Sequence, residues 1–175
     1  MNSDLTVCTP GDAAVLLYPA VSGIVNDVII PLATKRDPQR TGGWFTLWRH
    51  DPHVMEVVPV IGFAVGSVSA DRFQKYMHFA NEKAARLADR LTDISSWQSH
   101  DESVQDHMGR KYVYGGAIRC KYGLIFSFSG FSEHEDEMIC ALVANSFSFI
   151  SRPMIADIMR ASNNEPLKNY FKLSS

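Results

Sequence analysis

The residues whose types and spacing could do chemistry cluster near the C-terminal third of the chain. Ser127-Phe128-Ser129-Gly130-Phe131-Ser132-Glu133-His134-Glu135 brings three hydroxyls, a glycine, a histidine and two acids together. Ser132 with Glu135 three residues on reads as a helix capping box. Glu133, Glu135 and Asp136 then oppose the positive end of the helix that follows. A second reading is that Gly115-Gly116 and Gly130 let backbone approach a ligand closely, with His134 facing it. His78, in Tyr76-Met77-His78-Phe79, lies beside an apolar helical stripe. It would serve as a heme ligand only in an apolar pocket open on one face. His50 and His53 flank Asp51-Pro52 without a third metal ligand nearby. His100, Asp101, Glu102, Asp106 and His107 fall in a polar stretch that reads as a solvated face.

Other chemistries lack their signatures. There is no Gly-x-Ser-x-Gly elbow and no phosphate loop ending in Gly-Lys-Ser/Thr. The three cysteines, Cys8, Cys120 and Cys140, are odd in number and have no paired spacing, which argues against a disulfide framework. Cys120 falls in a strand and Cys140 on an apolar helix face, so neither has the setting of an activated thiolate.

The elements that must position these residues follow from periodicity. Apolar Val15, Leu16, Val21, Ile24, Val25 and Val28 suggest a first helix, with Pro19 kinking or splitting it. Residues 34–43 are a loop by composition. Residues 44–48 and 54–60 read as a hairpin, with Gly62 and Gly66 loosening the chain after it and a further strand an open alternative over 62–68. Ser69 is an N-cap for a helix over 70–91, with Phe73, Met77, Ala80, Ala84, Leu87, Ala88 and Leu91 as its apolar face. Residues 92–110 are a polar loop, 112–120 and 124–129 a second hairpin, and 133–150 a helix. A short helix over 153–159 and a polar tail end the chain. This order predicts an α+β fold, an antiparallel sheet flanked by helices.

Composition sets the outer bounds. The chain has 175 residues, 46% hydrophobic and 21% charged, which suits a single domain over 1–175 with a real core. A net charge of −2 offers no basic field for nucleic acid or anionic lipid. Residues 13–33 are apolar, but Pro19, Asn26, Asp27 and Pro31 interrupt them and no basic residue precedes them. They read as a buried amphipathic helix of a cytoplasmic protein that contacts no membrane.

The stretch from Tyr114 to Phe149 resembles the GlcG/HbpS-like superfamily. The resemblance is carried by Gly115-Gly116 before a strand, a strand ending Ser127-Phe128-Ser129-Gly130, and Glu135-Asp136 opening an apolar helix. It implies a profilin-like fold, a homo-oligomer and a role in binding heme or another small ligand. His78, Gly115, Gly116, Gly130 and His134 are then the ligand-binding candidates. Phe73-Gln74-Lys75-Tyr76 departs from the family's central helix. Three functions stay open: a non-enzymatic binder of heme or a small carboxylate-bearing ligand, an enzyme of small-molecule or heme metabolism, and an oligomeric scaffold. The missing catalytic constellation counts against the enzyme. Ten aromatics, among them Trp44, Trp48, Phe147, Tyr170 and Phe171, exceed what one small core needs and suggest a subunit interface.

Overall fold

The computed structural model describes residues 9–51, 56–99 and 114–173. Four strands form one antiparallel sheet in the order β2-β1-β4-β3. They are β1 (Thr41–Asp51), β2 (Glu56–Ser67), β3 (Ala117–Arg119) and β4 (Leu124–Ser129). The α+β architecture is therefore the expected one. The extra strand content falls at 62–67, where Gly62 pairs with Thr46 and Gly66 with Gly42. Gly62 leaves room for the Trp44 indole, whose nearest ring atom would lie 2.8 Å from any Cβ there. The glycines of β2 thus serve packing and do not end the strand. Val54, Tyr112 and Val113, expected at strand starts, lie outside the described residues, as do Cys8, His53 and the acidic and histidine cluster over 100–107.

Side-chain alternation divides the sheet into two faces. Phe45, Leu47, Phe126 and Phe128 point into the larger core with the first helix and with α4 (Glu133–Ser146). Trp48, Ile125 and Ala117 point the other way, against Ala84 and Leu87 of α3 (Ala70–Ala88). Small residues let α3 lie close: the Ser127 hydroxyl donates to the Ala80 carbonyl at 2.7 Å.

The first helix buries most of the expected face: Val21 and Val25 are buried and Leu16, Ile24 and Val28 pack against the core, but Val15 is not part of it. α1 (Pro10–Ile24) continues through a π-helical turn (Val25–Ile29) into α2 (Ile30–Ala33). Ala13, Leu17, Val21, Val25, Ile29 and Ala33 are buried, every fourth residue, whereas Val15 is 75% exposed. An α-helix advances about 100° per residue, so a strict four-residue repeat drifts about 40° at each step. The wider π turn absorbs part of that drift and keeps the stripe on the core. α1 is not split at Pro19; Val15, one turn earlier, lies on the exposed side, where water can serve the carbonyl that Pro19 leaves without a donor. The run over Pro10–Ala33 is long and apolar enough to cross a membrane by length and composition. Its buried stripe accounts for part of that apolarity; Val15, Tyr18 and Leu32 on the same run are exposed.

Two more expectations are corrected. On α3, Phe73 is 36% exposed, Leu91 lies beyond the helix and is 80% exposed, and Met77 is half-buried. The buried face is Phe79, Ala80, Lys83, Ala84 and Leu87. The short helix expected over 153–159 is present and longer, as α5 (Arg152–Ser162), but the expected polar tail is a further helix, α6 (Glu165–Leu173), with Leu167 fully buried. The Asn164 side chain accepts from the Leu167 amide at 2.9 Å, an N-cap that the Asn164-Glu165-Pro166 order could have disclosed. The aromatic surplus is also used within the chain. Phe45, Phe126, Phe128, Phe131 and Phe149 are buried, Phe147, Tyr170 and Phe171 pack on the same core, and Trp44 meets Phe73 edge-on.

Candidate functional site

A lysine inside an apolar stripe builds the centre of the site. Lys83 is one turn from Phe79 and from Leu87, so α3 carries its ammonium into the interior, where the residue is 1% exposed. Lys83 Nζ donates to Asp136 Oδ2 at 2.9 Å and to the Phe128 carbonyl at 3.0 Å. The other Asp136 oxygen accepts from the Phe131 amide at 2.9 Å. Burial pushes the Asp136 carboxyl up, and Lys83 and the Phe131 amide pull against that shift.

Gly116 makes the pair fit. Its φ is +119°, and a Cβ there would lie 2.7 Å from Asp136 Cβ and 2.9 Å from Lys83 Nζ. Gly115 serves Trp97: any Cβ would overlap the indole nitrogen at 2.0 Å. The capping box expected at Ser132 is present, with the Ser132 hydroxyl donating to Glu135 at 2.7 Å. Arg36 pairs with the same carboxylate and ties the loop before β1 to the start of α4.

Above the Lys83–Asp136 pair lies a cavity of about 310 Å³. Its aromatic wall is Tyr76, Phe79, Tyr114 and Phe131, with Phe79 and Tyr114 edge-to-face at 5.2 Å. Arg40, Arg72 and Lys75 line the same space. Arg40 is paired with Asp37 at 3.1 Å. The Gln39 amide, and then Arg40, hold the Asp37 carboxyl below its ordinary range. Arg72 donates to the Gln39 side chain at 2.8 Å, a neutral partner, and Lys75 sits 5.9 Å from the Phe79 ring centre. Among the described residues, neither Arg72 nor Lys75 has a carboxylate within ion-pair distance. The site therefore offers two cations outside ion-pair distance of any described acid, beside a ring-sized apolar wall; Asp37, Glu133 and Asp136 line the same space, and Arg72 acts through space on Asp37 and Asp71.

Of the five sequence candidates, Gly130 lines this cavity and Gly116 supports its floor. Gly115, His78 and His134 do not line it. His78 is exposed on α3. The His134 ring stacks on Trp97 at 4.7 Å, and its Nε2 lies 3.0 Å from the Ser162 carbonyl. Among the described residues no histidine, cysteine or methionine lines the cavity, so the site does not fit a heme held by His78 or His134. No group of three metal-ligating side chains occurs among the described residues. Sequence reasoning missed Lys83, Arg72 and Lys75. The signal for Lys83 was a single cation at stripe spacing, which the apolar count passed over.

Neither a family model nor a curated protein matches the chain. Among solved structures it is similar to the crystal structure of Klebsiella pneumoniae protein ORFY, of the DUF336 family. The TM-score is 0.50 at 14% identity, covering 86% of this chain and 99% of that one. At that identity the likeness shows a shared fold.

Proposed function

We propose that the protein is a non-enzymatic, single-domain binder of small organic anions and a member of the GlcG/HbpS-like superfamily. DUF336 is the GlcG-like family, and the shared fold supports the membership. The observation that carries the binding role is Arg72 and Lys75, both outside ion-pair distance of any described acid, facing an aromatic cavity whose floor is the buried Lys83–Asp136 pair. The two cations would take a carboxylate or phosphate, and Phe79, Tyr114 and Phe131 would cover an attached ring. Heme, a planar dicarboxylate, belongs to this class by charge and shape, but His78 and His134 would not ligate its iron. The buried free thiols Cys120 and Cys140 suit a cytoplasmic setting.

A homo-oligomer is part of the same reading. It would use the exposed Val15 of α1 and, beside it, the half-exposed Tyr18, which packs edge-on against Phe63.

A thermal-shift panel of benzoate, phenyl phosphate and hemin on the full chain tests the binding role. Saturable stabilisation by the two small aromatic anions is expected, and its loss in Arg72→Ala/Lys75→Ala. No stabilisation by any of the three would remove the proposal.

A further inference from the structure

A second cavity of about 330 Å³ adjoins the first, between the start of β1, the end of β2 and the first turn of α3. The two share Arg72 and Tyr76, which stand one helical turn apart on α3. Their chemistry differs sharply. The first holds the aromatic wall and Lys75. The second is lined by Gln39, Thr41, Ser67, Ser69 and Asp71, an amide, three hydroxyls and a carboxylate.

We propose that the site takes a two-part ligand joined through an internal anion, an aromatic group and a hydroxylated group linked by a phosphodiester or a comparable charged ester. This rests on the binding role proposed above and names its ligand class. Arg72 lies at the junction, so the anion belongs in the middle of the ligand and not at its end. Two of its N–H groups reach the Gln39 side chain and carbonyl, at 2.8 and 3.4 Å. A guanidinium has five donors, which leaves enough for a bidentate oxyanion.

The second compartment selects a neutral polyol for its half. The Ser69 hydroxyl holds the Asp71 carboxyl below its ordinary range, so Asp71 stays charged at neutral pH. A carboxylate accepts hydrogen bonds from hydroxyls and repels a terminal anion. The Ser67 hydroxyl can donate to and accept from a polyol, and the Thr41 and Ser69 hydroxyls, whose protons go to the Ser67 carbonyl and to Asp71, can accept from it.

The test is calorimetric titration of the full chain with two probes of equal charge. Methyl phenyl phosphate carries the ring and the internal anion; glyceryl phenyl phosphate adds the polyol. The glyceryl ester should bind about tenfold or more tightly than the methyl ester, as one or two added hydrogen bonds imply. Ser67→Phe fills the second cavity from an exposed position. It should bring the glyceryl ester down to the methyl ester and leave the methyl ester unchanged. Asp71→Asn, at an exposed helix start, should act in the same direction. Equal affinities for the two esters, or equal effects of both variants on them, would overturn the two-part ligand while leaving the first cavity's role standing. Binding of phenyl phosphate but of neither diester would overturn the internal anion. Binding of none of the three would overturn this proposal and the binding role together.

Discussion

Lys83→Met probes the buried pair on which the site is built. Both side chains are almost wholly enclosed, at 2% and 3% exposure, so solvent does not screen the interaction. Removing the ammonium leaves Asp136 with the Phe131 amide as its remaining donor among the described residues. Breaking a buried ion pair on one side costs about 3–5 kcal/mol. For a domain of this size each kcal/mol lowers Tm by about 2–4 °C, so a fall of about 6–20 °C is expected. The paired variant Lys83→Met/Asp136→Asn should recover most of that loss. The side-chain amide introduced by Asp136→Asn keeps an oxygen for the Phe131 amide and carries no charge to strand, and replacing a buried pair on both sides is often neutral. The single variant should also be rescued by acid. Burial already raises the Asp136 carboxyl, and loss of Lys83 raises it further. Its native state then binds a proton that the unfolded state releases above about pH 4, so stability is highest below that pH and falls as pH rises. Urea melts followed by circular dichroism at pH 5 and pH 8 read both effects. A single variant within about 1 kcal/mol of wild type at pH 8, or no recovery in the paired one, would refute the reasoning.

Other outcomes follow from the same geometry. Gly116→Ala should cost at least about 2 kcal/mol in a urea melt, because the positive φ is strained for any side chain and the Cβ would press on Asp136 and Lys83. Glu137 is fully buried and accepts from Ser162 at 2.5 Å, from Asn164 at 2.8 Å and from Ser95. Burial raises its carboxyl above the ordinary range despite those three donors. Its contribution is therefore full below about pH 4.3 and is lost as pH rises through the raised value. Glu137→Gln should flatten the decline of Tm across that window, and an unchanged pH profile would contradict the assignment. Burial likewise pushes the Cys120 and Cys140 thiols far up, so iodoacetamide on the native protein should leave both unmodified by peptide mass mapping. Size-exclusion chromatography with light scattering should give a mass above the 19.6 kDa of one chain; a monomer at micromolar concentration contradicts the oligomer.

Local signals with a single physical cause were legible in the sequence. The Ser132–Glu135 capping box, strand β4 and the start of α3 after Ser69 are where pattern placed them, because cap residues and short apolar runs are local signals. What escaped pattern depends on tertiary context. The stripe of α1 keeps a four-residue repeat through the π turn, which a helix template of about 3.6 residues per turn cannot match. Lys83 counts as polar in any hydrophobicity scale, yet it faces inward because Asp136, 53 residues on, meets it there. Gly115 and Gly116 read from sequence as places where backbone meets a ligand; in the structure what presses on them is Trp97 and the Lys83–Asp136 pair. The histidines drew notice for their chemistry alone, and packing turned His78 to solvent and His134 onto Trp97.

The central claim is that two cations outside ion-pair distance of any described acid and an aromatic wall make a specific anion site. Isothermal titration of phenyl phosphate into wild type and into Arg72→Ala/Lys75→Ala tests it most directly. The expected result is one saturable site per chain in wild type, weakened about a hundredfold in the variant, since each charge-assisted contact contributes roughly 1.5 kcal/mol. Equal binding by both proteins, or no saturable heat in wild type, would contradict it.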